Sequence, residues 1–187
     1  MIQTPSSKLE IPNLVPIRER IPTAIIDLPY ATSNNITGKQ LYPTGYEPKL
    51  RESTLKKLAV AEAIFRSKGY SIVIFDALRT PEAHAALMEA CPDPKYVNPN
   101  SGHLLGVSIY LTLADKHTGK YLDFGTEFDE MSPKSGHAYS DLPSSVIGRR
   151  ILLSGIMEFD GDFVRNKEEW WHYDDLATRR IIETQQM

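Results

Sequence analysis

The chain of 187 residues carries a single cysteine, Cys91. One thiol can form neither an internal disulfide nor half of a CxxC metal clip, so the fold does not depend on an oxidising compartment. No apolar run approaches the roughly 20 residues that a bilayer span requires. The N-terminal stretch MIQTPSSKLEIPNLVPIRER has no continuous apolar core of the signal-peptide kind. The cytoplasm is therefore the expected location, with the periplasm as the alternative for a processed chain. Positive charge is not in excess either: 21 Lys and Arg stand against 24 Asp and Glu, a net charge of −3. That balance gives no reason to expect nucleic acid or an anionic membrane as partner. Repeats and low-complexity linkers are also missing.

What remains is ordinary for a soluble globular protein: 41% hydrophobic and 24% charged residues. The length suits one domain over 1–187 with a proper core, its residues 1–22 wrapping the surface. TAIIDLPYAT (23–32) reads as a short strand and loop. RESTLKKLAVAEAIFRSKG (51–69) reads as a helix with Ser53 as cap and Gly69 as its end. YSIVIFDAL (70–78) is a continuous apolar run of strand length, expected at the centre of a sheet. Thr80-Pro81 opens a second helix, since proline suits a first turn. GVSIYLTLAD (106–115) reads as a strand, KYLDFG as a shorter one, and EEWWHYDD (168–175) as another. SSVIGRRILLSGIMEF (144–159) reads as a helix with Ile147, Ile151, Leu152 and Met157 inward. The mixture points to an α+β fold, a central antiparallel sheet packed with helices.

Three stretches carry chemistry. His103 precedes a glycine turn and a strand, so it and residue 110 can aim at one point. Glu169 and His172 lie three apart, a spacing that a flat strand does not bring to one face. Arg79 follows a buried strand, where functional groups often emerge. Two neutral imidazoles and an anionic oxygen make a catalytic zinc site with a position open for water. A carboxylate such as Glu169 can take a proton from that water, and an arginine can stabilise charge developing on a carbonyl oxygen. Each piece also has a plain structural reading. His103 can be a loop histidine, Trp170 and Trp171 core aromatics, and Arg79 a surface partner of Asp76.

Taken together and in order, the motifs resemble the zinc D-alanyl-D-alanine dipeptidases, the vancomycin-resistance type and its relatives. The resemblance runs from about residue 27 to about residue 174. It is carried by DLPYATSNNITGK, FDALRTPEA, SGHLLGVSIYLTL, DFGTEFDEMSPKSGH and EEWWHY. It implies one zinc per chain on His103, His172 and the residue at 110, with a small dipeptide as substrate. Glu169 would be the general base, Arg79 would bind the carbonyl oxygen, and Asp129 and Tyr30 would hold the free ammonium, with Ser101 lining the pocket. A carboxylate facing an ammonium in a closed site gives a basis for taking dipeptides only.

Two residues depart from the family pattern: Ser108 stands for alanine, and Tyr110 for the aspartate ligand. A phenol ordinarily titrates near 10 and must lose that proton to bind zinc. Its oxygen also lies further from the backbone than a carboxylate's. Tyr110 can therefore swing aside and ligate, or fill the metal cavity. Asp115 is about 15 Å further along a strand. Asp123 and His137 come nearer in motif terms, without a geometric argument for either.

Overall fold

The computed structural model describes residues 10–186, so residues 1–9 of the expected surface-wrapping segment lie outside the described residues. The rest of that segment is less peripheral than expected. β1 (Leu14–Pro16) pairs antiparallel with β3 (Lys49–Arg51). The one-turn helix α1 (Ile17–Arg20) buries Ile17, and Ile21 after it joins the core. Two apolar residues four apart on one side are enough to anchor such a turn.

The main sheet has five strands in the order β2-β4-β5-β7-β6: Ile25–Ile26, Tyr70–Asp76, Ser108–Asp115, His172–Asp174 and Val164–Arg165. All pairings are antiparallel except β2 with β4, which is parallel. β4 and β5 sit in the middle and are buried almost throughout. That explains their unbroken apolar sequence, because neither face meets water.

α2 (Glu52–Ser67) follows β3 and buries Leu55, Leu58, Ala61 and Phe65 at helical spacing against the sheet. Its N-cap is Arg51, not Ser53. α3 (Pro81–Ala90) starts as its sequence indicates: the Thr80 hydroxyl accepts from the Ala83 amide at 3.2 Å. α4 (Ser144–Gly155) runs into a π-helical turn at Ile156–Asp160. Its inward residues are Val146, Arg150, Leu153 and Met157, whereas Ile151 is 65% exposed. Met157 is inward as expected and Leu152 packs partly buried on the core, but Ile151 faces out, because Arg150 takes a buried place that composition would assign to an apolar residue. α5 (Leu176–Gln186) closes the chain.

KYLDFG contributes only a bridge between Tyr121 and Ala114. The segment expected as a strand at 168–175 is a strand only from His172 to Asp174. A second, smaller apolar cluster joins Leu28, Tyr30 and Tyr42 to Ala83, Leu87 and Val97. Phe128 packs against both clusters.

Candidate functional site

Strand register places the central pair. Tyr110 on β5 is opposite His172 on β7, and Ser108 is opposite Asp174. Residues two apart on a strand share a face, so all four side chains lie on one side of the sheet. His103 arrives from the short 3₁₀ turn Gly102–Leu105, whose first amides are capped by the Ser101 hydroxyl at 3.3 Å. The turn ends at Gly106, with φ of 72°, where a side chain would strike Leu14. Only glycine satisfies both demands there.

The three rings meet. His103 and Tyr110 are 4.2 Å apart edge to face, Tyr110 and His172 4.7 Å, and the two histidines 5.3 Å. Glu169 reaches the group because residues 166–171 form a turn. The His172 amide donates to the Glu169 carbonyl at 3.3 Å, and the Glu169 carboxylate lies 2.8 Å from His172 Nδ1. The three-residue spacing that a strand could not use is thereby explained.

Arg79 emerges after β4 and does pair with Asp76, at 2.6 Å, but the pair is buried rather than superficial. Asp76 also accepts from the Tyr42 hydroxyl at 2.6 Å and lies 3.3 Å from His103 Nδ1. The guanidinium carbon of Arg79 sits 5.5 Å from both the Tyr30 and Tyr110 ring centres. Burial opposes the guanidinium charge, and Asp76 more than restores it.

Tyr30 and Asp129, 99 positions apart, are joined by a 2.8 Å hydrogen bond from the phenol. Asp129 adopts φ of 62°, a conformation costly for a residue other than glycine and common where function demands it. Its other carboxylate oxygen is buried without a partner. Burial pushes its pKa up to about 7.

The predicted residues fall around two spaces. Arg79, Ser101, Tyr110 and His172 border a small polar cavity of about 100 Å³. Asp129 borders a larger cleft of about 800 Å³ with Phe128 and Thr112. Tyr110 lines the first, Phe128 the second, and their rings meet edge to face at 5.7 Å. Tyr30 packs on Phe128 at the same 5.7 Å separation. An aromatic partition thus stands between the Tyr30–Asp129 pair and the imidazoles.

As a set, the donors do not fit a zinc ion. His103 does: its Nδ1 donates to the Ala77 carbonyl at 2.7 Å, leaving a buried Nε2 lone pair without a partner. Burial, with Arg79 nearby, holds this ring well below its usual pKa and therefore neutral. His172 is different. Its Nδ1 faces Glu169 and its Nε2 faces Asp174 at 3.3 Å, so neither nitrogen is free. Burial opposes its charge, yet Asp174 and Glu169 keep its pKa at about 9. Burial and the Glu169 charge hold the Tyr110 phenol well above its usual pKa, so that it stands here as a neutral hydroxyl. Among the described residues no three His, Cys, Asp or Glu side chains are placed to hold a metal ion.

Asp115 caps its own turn through Thr118, Asp123 is exposed, and His137 packs by Tyr173, so none replaces the missing carboxylate. Sequence reasoning missed Asp174 and gave Asp76 only a surface role. Asp174 emerges only through the β5–β7 register, which sets it opposite Ser108, whose hydroxyl donates to that carboxylate.

The relatives agree with the motifs. A protein named D-alanyl-D-alanine dipeptidase from Escherichia coli is 39% identical over 164 residues, covering 86% of this chain and 83% of its own. Its namesake from Enterococcus faecalis is 29% identical over 171 residues, covering 79% and 83%. A solved zinc-bound vancomycin-resistance D,D-pentapeptidase aligns over 76% of this chain and 83% of its own, at 13% identity and a TM-score of 0.37, a likeness too slight to argue from. The family model described as D-ala-D-ala dipeptidase matches residues 11–185, so the chain belongs to the D-alanyl-D-alanine dipeptidase family of hydrolytic enzymes.

Proposed function

We propose that this chain recognises D-alanyl-D-alanine or a related small dipeptide by its free ammonium, with hydrolysis weakened by Tyr110. The observation that carries this reading is Asp129: one carboxylate oxygen is buried with no partner, the other accepts from the Tyr30 phenol, and the backbone is left-handed. An ionised oxygen in such a place is costly unless a donor arrives, and an ammonium is the donor of matching charge. Arg79, whose guanidinium lies against both the Tyr30 and the Tyr110 rings, is the cation placed to hold a carbonyl or carboxylate oxygen of the dipeptide. Glu169, with one buried oxygen unpartnered, is the group able to accept a proton from water.

A second reading, binding without turnover, is favoured by His172, whose two nitrogens are both engaged by carboxylates. A zinc ion bound here would supply a Lewis acid and an acidified water, but the donors as placed do not complete its site.

Calorimetric titration of D-alanyl-D-alanine in the presence of chelator tests the recognition. The expected result is binding that survives chelation and weakens about tenfold or more in Asp129→Asn. Equal affinity for Asp129→Asn, or loss of binding with chelator alone, would overturn it.

A further inference from the structure

The 800 Å³ cleft beyond Asp129 is much larger than an alanyl side chain needs. Its volume is in the range of pockets that enclose larger ligands. Its chemistry is one-sided. Asp27, Asp123, Glu127, Asp129 and Glu130 all line it, five of the chain's 24 acidic residues, and none of the lysines and arginines among the described residues does. From outside the lining, Arg149 approaches the Asp123 carboxylate only to 3.8 Å.

Not all of these acids are equally free. The Asp27 carboxylate accepts from the Tyr121 hydroxyl at 2.7 Å, and Glu130 from Ser132 at 3.0 Å. Glu127 is exposed and has no ionic or hydrogen-bonding partner among the described residues. The buried, unpartnered oxygen of Asp129 marks the inner end.

The walls are aromatic. Phe75 and Phe128 pack at 4.8 Å, Phe75 lies 6.3 Å from Tyr121, and Tyr121 is 41% exposed. Aromatic faces attract cations, and they also cover the methylene stem of an amine side chain. Thr112, which lines the cleft, lies two residues after Tyr110 on β5 and shares its face. The cleft therefore opens on the side of the sheet where the candidate site lies.

We propose that this cleft receives a second ammonium group: the side chain of a basic amino-terminal residue, lysine or ornithine, on the dipeptide. The inference rests on the proposed capture of the α-ammonium by Asp129 and adds the class of side chain. The α-ammonium meets Asp129 and Tyr30, the methylenes lie along Phe128 and Tyr121, and the terminal ammonium meets Asp27 and Glu127 at the outer end.

The test compares D-Lys-D-Ala, its Nε-acetyl derivative and D-Ala-D-Ala by calorimetric titration against the whole chain. D-Lys-D-Ala is expected to bind about tenfold tighter than the other two, since several modest ionic and cation–π contacts add up. The advantage should shrink at high salt because the outer carboxylates are exposed. Glu127→Gln combined with Asp27→Asn should remove most of it and leave D-Ala-D-Ala affinity unchanged. Equal affinity for the free and acetylated lysyl dipeptides would overturn the inference while leaving dipeptide recognition standing. Failure of all three to bind would overturn both.

Discussion

At position 110 a neutral phenol packs against two imidazoles, where the family resemblance leads one to expect a carboxylate. On the proposed reading this residue acts twice. It offers no anionic donor, and its ring joins Phe128 between Asp129 and His172. Tyr110→Asp removes both effects. In the presence of zinc its D-alanyl-D-alanine turnover should exceed the parent's by about 100-fold or more, since even outer-shell partners are worth ten- to hundredfold. Steady-state kinetics check this, and equal rates would show that Tyr110 does not limit the site. Asp129 makes a pH prediction. With its carboxyl raised to about 7, the group is ionised, and able to pair with an ammonium, only above that pH. Dipeptide affinity should therefore fall as pH drops through about 7. It should fall again above about 8 as the ligand's own amine loses its proton. Asp129→Asn should abolish the acid limb in titrations across that range. The stability consequence has the opposite direction. The folded state holds this proton where the unfolded chain has lost it, so its contribution declines as pH rises from about 4 to 7.

The elements show why some of this was legible in sequence and some was not. β4, β5, α2 and α3 were readable because each is governed by local signals: unbroken apolar runs, helical spacing, and Thr80-Pro81. The convergence of His103, Tyr110 and His172 was implied by motif order and followed from β5–β7 register. What escaped were features set by long-range partners. EEWW looked like strand, yet it turns because Trp170 is anchored on both sides. Its amide reaches the Ser135 carbonyl at 3.1 Å, and its indole reaches the Thr126 hydroxyl at 2.8 Å. The inward face of α4 was misread at Ile151 because Arg150 is buried to serve a loop. Its guanidinium donates to the carbonyls of Phe124, Gly136 and Lys134 at 2.8, 3.0 and 3.1 Å. These bonds pin the loop that carries Asp129. Arg150→Met leaves three carbonyls without a charged donor and should cost about 2–4 kcal/mol of stability. It should also weaken dipeptide binding although residue 150 touches no ligand. Denaturant unfolding and titration of the same variant check both halves, and a stable variant with unaltered affinity would show that the loop holds itself.

At the scale of the molecule, the sheet core and the Arg79–Asp76 pair are buried and the Tyr30–Asp129 pair is half-buried, while among the described residues no three His, Cys, Asp or Glu side chains are placed to hold a metal ion. Stability of the whole should depend on acid through His137, whose ring burial depresses to a pKa of about 4. The unfolded chain protonates this group near 6.5. Stability is therefore full above about 6.5 and declines as pH falls towards 4. Denaturation midpoints at pH 7 and pH 4.5 should show the decline, and His137→Gln should reduce it. Whether Tyr110 stands in place of a metal centre is decided by zinc content per chain after purification without chelator and dialysis. Well under one zinc is expected in the parent protein and about one in Tyr110→Asp, the count of a single catalytic site. One tightly held zinc in the parent would contradict this expectation, because the phenol would then be serving as a ligand.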